Sequence, residues 1–254
     1  MLLAIDIGNT NITLGVFDGQ ALKATWRMAS DARRMPDEYH ATIYTLLSLK
    51  GVEPKHITGV ALCSVVPPLT GIMEEMSRNA FNIAPMTVSA GVKTGLRVLY
   101  ENPRDVGADR VVDAVAAVRL YGQPVIVVDF GTALVFDGVT KEGDYLGGAI
   151  VPGLGLAAES LFTNTSQLRR VELIKPKSVV GRNTIASIQS GIIYGYVSLV
   201  EGMVSKFREE IGADAKVIAT GGQAGIIAKE TSIFHAVNPD LTLIGLRMIY
   251  EMNR

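Results

Sequence analysis

Apolar and polar positions follow two rhythms along this chain. Short apolar runs closed by breakers predict strands over 2–8, 11–17, 21–29 and 58–65, and again over 125–130, 132–139, 144–151 and 216–220. Longer stretches of helical spacing lie between them. A helix is expected after Pro36, where proline suits a first turn and Asp37 and Glu38 meet the positive end of the helix dipole. Others are expected over 68–79, 104–120, 184–211 and 239–252, the one over 184–211 with Ser190, Gly191 and Gly195 as small residues that allow close backbone approach. Strands alternate with helices, but each half opens on hairpins. That combination predicts α/β architecture with mixed sheets flanked by helices rather than a purely parallel sheet.

The pattern repeats. Ala4-Ile5-Asp6-Ile7-Gly8-Asn9-Thr10 is echoed by Val127-Val128-Asp129-Phe130-Gly131-Thr132, and the two copies run on to Phe17-Asp18-Gly19 and Phe136-Asp137-Gly138. An internal duplication of strand, Asp, turn and strand implies two halves of one fold, each delivering an Asp from the end of a buried strand toward a cleft between them. The breakers Tyr121-Gly122-Gln123-Pro124 put the boundary there, giving halves 1–122 and 123–254.

Composition narrows the class. The 254 residues are 48% hydrophobic, enough for real cores, and the net charge of -1 carries no basic block for nucleic acid. No stretch approaches the ~20 apolar residues of a membrane span, and Asp6 interrupts the first apolar run too early for a signal peptide. One cysteine, Cys63, sits in an apolar run and reads as a buried small hydrophobe. A soluble protein of a reducing compartment, the cytoplasm, is the expectation, with no nucleic-acid or membrane partner.

The candidate chemistry starts at the first turn. Gly8 permits close approach, while Asn9, Thr10, Asn11 and Thr13 surround the turn with amide, hydroxyl and main-chain donors that can hold phosphate oxygens without a lysine. Asp6 would then serve Mg²⁺ through water. The plain alternative is a hairpin whose Asn and Thr satisfy the turn; the second copy, with Asp129 and Thr132 in matching places, favours phosphate and metal. A second constellation is Tyr100 to Arg110. On a helix, Asp105, Asp109 and Asp113 share a face, and a carboxylate there can take a proton from a substrate hydroxyl while Arg110 meets an anionic group. An N-terminus that gathers acids to meet its dipole explains the same residues, although Gly107, costly inside a helix, speaks for close approach by a ligand. Gly153-Leu154-Gly155-Leu156-Ala157-Ala158 matches a dinucleotide fingerprint, but Pro152 and the hairpin topology argue for a turn that lets a helix pack closely. Gly221-Gly222 after a strand is either an ordinary turn or a platform for adenine or ribose. His40, His56 and His235 have no metal-ligand spacing.

These motifs resemble the phosphate turns of the acetate and sugar kinase, Hsp70 and actin superfamily, and within it type III pantothenate kinase. The resemblance rests on Asp6 to Thr13, Gly107-Ala108-Asp109-Arg110, Asp129 to Ala133, Gly147 to Gly153 and Ala219-Thr220-Gly221-Gly222, in that order nearly end to end. It implies a duplicated ribonuclease H-like, actin-like ATPase fold and ATP-dependent phosphorylation of pantothenate, the entry to coenzyme A synthesis. ATP would lie on Asp6, Ile7, Gly8, Asn9, Thr10, Asn11, Ile12, Thr13, Thr132, Gly221 and Gly222. Pantothenate would meet Tyr100, Gly107, Ala108, Asp109, Arg110 and Thr184, with Asp109 as proton acceptor. Asp129 would hold K⁺ or NH₄⁺, Asp6 would serve Mg²⁺, and the protein would be a homodimer. Family members carry two further threonines where this chain has Leu134-Val135, which puts phosphate contacts from that pair in question. A kinase for another hydroxyl acceptor and a nucleotide-binding regulator without transfer chemistry remain alternatives; a nicotinamide oxidoreductase rests on the glycine match alone.

Overall fold

The computed structural model describes residues 1–254. By internal contacts the chain forms two compact units: Met1–Gly95, Glu101–Ala116 and Thr242–Arg254 make the first, and Leu96–Tyr100 with Ala117–Leu241 the second.

In the first unit, β1 (Leu2–Ile7), β2 (Asn11–Asp18) and β3 (Ala21–Ala29) form an antiparallel meander, followed by α1 (Pro36–Leu49), β4 (Gly59–Ser64), α2 (Pro67–Phe81) and the two-residue β5 (Met86–Thr87). The sheet order is β3-β2-β1-β4-β5, with β4 parallel to β1. Alternation sets the two faces. Leu3, Ile5, Ile7, Ile12, Leu14, Val60 and Leu62 pack under Tyr39, Ile43 and Leu47 of α1 and Leu69, Met73 and Met76 of α2. Pro36 opens α1, and the Glu38 carboxylate accepts the Met35 N–H at 2.8 Å, which satisfies a donor that the first turn leaves over.

In the second unit, β6 (Arg97–Val98) is followed by β7 (Val125–Phe130), β8 (Ala133–Val139), β9 (Asp144–Pro152), α4 (Leu154–Thr163), α5 (Thr184–Ile211), β10 (Lys216–Thr220), α6 (Ala224–Ile227) and β11 (Ala236–Val237). The order β11-β10-β7-β8-β9-β6 reproduces the first sheet strand for strand and adds β6 at one edge. Directions match as well: β7–β8 and β8–β9 are antiparallel, and β10 is parallel to β7. The duplication read from the two Asp-Gly turns therefore extends to whole sheets. Asn183 caps α5 by accepting the Ala186 N–H at 2.9 Å.

α3 (Ala108–Tyr121) and α7 (Leu241–Met252) complete the chain. Residues 242–254 belong to the first unit, where a side chain added at Gly15 would meet Leu243, at Gly245 the backbone of Val112, and at Gly59 the Tyr250 ring. Division by contacts thus differs from the sequence-based halves 1–122 and 123–254, because this non-local packing leaves no local signal. Two further expectations change. The third helix starts at Ala108, not near 104, since residues 103–105 form a separate 3-10 turn whose N-cap Asn102 accepts the Arg104 N–H at 3.3 Å. The turn expected over 153–158 is instead the N-cap Gly153 and the start of α4, while Gly147 and Gly148 lie inside β9, within the strand expected over 144–151. β9 runs antiparallel to β8, so no βαβ unit surrounds the fingerprint match. No helix is long and apolar enough to cross a membrane.

Candidate active site

Two clusters assemble, one in each unit. In the first, half-buried Asp6 is the last residue but one of β1, and the hairpin to β2 closes with the Gly8 N–H donating to the Asn11 carbonyl at 3.0 Å. A Cβ on Gly8 would stand 3.2 Å from that carbonyl, so glycine keeps the turn tight. Asn9, Thr10 and Asn11 are exposed, and Thr13 lies directly across from Asp6. Ile7 and Ile12 are fully buried in the core, so of these two only main-chain groups remain for a ligand. The turn is braced from β3: Ser30 donates through Oγ to the Gly8 carbonyl at 2.6 Å and through its N–H to the Thr10 carbonyl at 3.0 Å.

Cys63 on β4 is the register partner of Asp6. Burial pushes its thiol well up, and the negative charges of Asp6, Asp109 and Asp113 add to that shift. Asp6 from β1 and the pair Asp109 and Asp113 from α3, far apart in sequence, therefore act on one thiol in one unit. Asp109 sits in the first turn of α3. Its Oδ1 accepts the Arg110 N–H at 2.8 Å. Burial raises its pKa above the ordinary carboxylate value, against the opposing pull of that N–H and of the Arg110 charge. Gly107 stands just outside the helix, where an added Cβ would come 2.5 Å from Asp109 Oδ1. Asp105 does not share this face: it is exposed and accepts from Asn102 Nδ2 at 2.9 Å in the preceding turn.

In the second unit, half-buried Asp129 is the last residue but one of β7, as Asp6 is of β1. The Gly131 N–H donates to the Ala133 carbonyl at 3.0 Å, and Thr132 at the turn is exposed. Gly221 follows β10 with φ +88, and a Cβ there would collide with Asp129 Oδ1 and the Phe130 backbone. Gly221 and Gly131 thus flank the Asp129 carboxylate, and Gly222 is exposed beside them. Leu134 is fully buried in the core and unavailable to a phosphate, while Val135 is the register partner of Asp129. Elsewhere in this unit, the Tyr100 ring lies against Gly147, and Thr184 is exposed in the first turn of α5.

No group of three or more His, Cys, Asp or Glu side chains is arranged to hold a metal. Mg²⁺ does not need one, since it keeps several waters and takes one or two carboxylates plus substrate phosphates; half-buried Asp6 beside a turn rich in donors fits that pattern. At Asp129 the fit is a cradle beside the carboxylate that any Cβ on Gly221 would fill.

Comparison with known proteins decides among the kinase readings. The profile of the type III pantothenate kinase family matches residues 2–206. A type III pantothenate kinase of Moorella thermoacetica is 50% identical over 253 residues, covering 100% of both chains. The chain belongs to the type III pantothenate kinase family. Among solved structures, a conserved putative Baf family transcriptional activator from Campylobacter jejuni superposes with a TM-score of 0.63 at 18% identity, covering 99% of this chain and 98% of its own. An activator of 2-hydroxyisocaproyl-CoA dehydratase from Clostridium difficile, with bound ADPNP, gives 0.58 at 13% identity over 99% and 96%. At such identities these likenesses speak for the fold alone, which is the duplicated actin-like ATPase fold that the paired sheets display.

The sequence reading left Cys63 as inert filling and did not connect it with Asp6. β4 register carries that connection, and no periodicity in the chain reveals it.

Proposed function

We propose that this protein transfers the γ-phosphoryl group of ATP to the terminal hydroxyl of pantothenate, giving 4′-phosphopantothenate and ADP, the first step of coenzyme A synthesis. Full-length identity of 50% with a type III pantothenate kinase carries this reading. The shared field of Asp6 and Asp109 on Cys63 adds its physical support, because it draws a phosphate turn and an acid into one neighbourhood.

Main-chain and side-chain donors of Gly8 to Thr13 bind the phosphates and fix their direction; Thr132 and the Gly221-Gly222 turn also bind the nucleotide. Tyr100, Gly107 to Arg110 and Thr184 bind pantothenate, with Arg110 meeting its carboxylate. Asp109 orients the acceptor hydroxyl and takes its proton as the oxygen attacks phosphorus in line. Its elevated proton affinity suits this role, since an ordinary aspartate is a weak base near neutral pH. Asp6 would hold Mg²⁺ through water and Asp129 a monovalent cation, K⁺ or NH₄⁺, and these ions would supply positive charge against the phosphates. Most of the rate then comes from positioning and electrostatics. The working form is a homodimer in the cytoplasm.

Acceptor-dependent ADP release tests the reading. ADP formation stimulated by pantothenate supports it, turnover that ignores pantothenate replaces the acceptor, and ATP binding without turnover leaves the regulator alternative. Absence of NAD binding disposes of the oxidoreductase.

A further inference from the structure

Register places four side chains in one row across the first sheet. Cys63 on β4 partners Asp6 on β1, Asp6 partners Thr13 on β2, and Thr13 partners Arg27 on β3. All four project from the face opposite the α1–α2 core, because their sequence neighbours Ile5, Ile7, Ile12, Leu14, Leu62, Trp26 and Met28 pack into that core. Directly paired residues on adjacent strands have Cβ atoms ~5 Å apart, so the Arg27 side chain starts within easy reach of any group bound at Thr13.

Charge gives the row a direction. Its inner end is acidic: Asp6, Asp109 and Asp113 all act on Cys63. The hairpin turn from Gly8 to Thr13 contains no cationic residue. A polyphosphate brought to this turn meets repulsion on one side, and the other side of the row ends in an exposed guanidinium. Arg33, Arg97, Arg170 and Arg247 are each engaged by a carboxylate of the chain, whereas none engages Arg27. Its five donors are available, and β3 is itself tied to the turn through Ser30.

We infer that Arg27 is a phosphate-binding residue of the nucleotide site, its guanidinium closing the side of the Asp6–Thr13 hairpin away from the acids. The inference deepens the kinase reading and rests on it. Arg27 supplies in side-chain form the positive charge that the lysine-free turn lacks, and its planar fork suits two phosphate oxygens at once.

Calorimetric titration of ATP and adenosine into wild type, Arg27→Gln and Arg27→Lys tests this, with pantothenate KM measured alongside. Loss of a charge-assisted contact predicts ATP binding weaker by about 10- to 100-fold in Arg27→Gln. Adenosine affinity and pantothenate KM stay at wild-type values, and the lysine variant recovers part of the loss. The wild-type preference for ATP over adenosine also falls with added salt more steeply than that of Arg27→Gln. ATP affinity within twofold of wild type in Arg27→Gln overturns the inference, as does an equal loss for ATP and adenosine, or a defect confined to pantothenate KM. A wild type that binds ATP no better than adenosine removes the phosphate-turn reading itself, and that is visible before any variant is made.

Discussion

Gly107→Ala isolates the positioning of Asp109. Glycine at 107 has no left-handed backbone to protect, so alanine is tolerated by the chain itself. The obstacle is the carboxylate: the new Cβ would come 2.5 Å from Asp109 Oδ1, where ordinary contact begins at 3.4 Å. The carboxylate must retreat by about 0.9 Å and give up its hydrogen bond to the Arg110 N–H, because that bond holds the same oxygen. A misplacement near 1 Å in a reaction that depends on near-attack geometry costs about 10²-fold, or roughly 2.7 kcal/mol of transition-state stabilisation. Pantothenate-dependent ADP formation should therefore drop by about two orders of magnitude in kcat while calorimetric ATP affinity holds. The defect should also disappear in an Asp109→Asn background, since both changes disable one group. A kcat within threefold of wild type, or a full Gly107→Ala penalty on top of Asp109→Asn, would refute the placement of Asp109 as proton acceptor.

Three further outcomes follow from the same coordinates. Asp109→Asn should lower kcat by ~10²-fold or more and raise the Tm at pH 7. Burial lifts the native proton affinity of this acid, so the folded state binds the extra proton and the charged form destabilises it above the native value; that penalty fades as pH falls back toward the ordinary aspartate range, and so should the advantage of the variant. An unchanged or lower Tm at neutral pH would contradict the burial argument. Gly221→Ala drives a Cβ onto Asp129 Oδ1 and strains a residue at φ +88; it should raise the K⁺ concentration needed for activity, and a K⁺ response equal to wild type, or wild-type activity with Na⁺ replacing K⁺, would remove Asp129 from the cation site. Gly71→Ala places a methyl in open space within α2 and should stabilise the protein by up to ~1 kcal/mol, read as a higher urea midpoint with kcat unchanged.

Legibility in the sequence followed the range of the forces involved. Strand ends at Asp6 and Asp129 were readable because a buried apolar run that stops on Asp and Gly is a local signature, and α5 was readable over its full length for the same reason. β5, β6 and β11 have two residues each, too few to show a period. α4 was hidden by Pro152, Gly153 and Gly155, which read as breakers; in the fold Gly153 is an N-cap packed so tightly on the Gly131 and Thr132 carbonyls that a side chain would not fit. At the candidate site the motifs supplied Asp6, Asp109 and Asp129, but not their company. Cys63 beside Asp6, Arg27 beside Thr13 and the seating of α7 in the first unit all depend on strand register or distant packing, to which a local reading is blind.

The two sheets also set their duplicated turns in different surroundings. Both copies keep the Asp at the strand end and the Gly that follows. What differs is the residue facing that Asp from the next strand: Thr13 opposite Asp6, Val135 opposite Asp129. A hydroxyl and a guanidinium extend the first row into a polar strip, whereas the second row meets apolar side chains, Val135 and then Ile150. On its other side Asp129 faces Thr220 of β10, where Asp6 faces Cys63 of β4. Under the proposed function, the hydroxyl and guanidinium of the first row serve phosphate, whereas the second row holds a carboxylate and no cationic side chain and serves the cation. Val135→Thr would set a second hydroxyl opposite Asp129, beside that of Thr220, and should shift the K⁺ concentration needed for activity; an unchanged K⁺ response would leave Leu134-Val135 without a part in the proposed cation site.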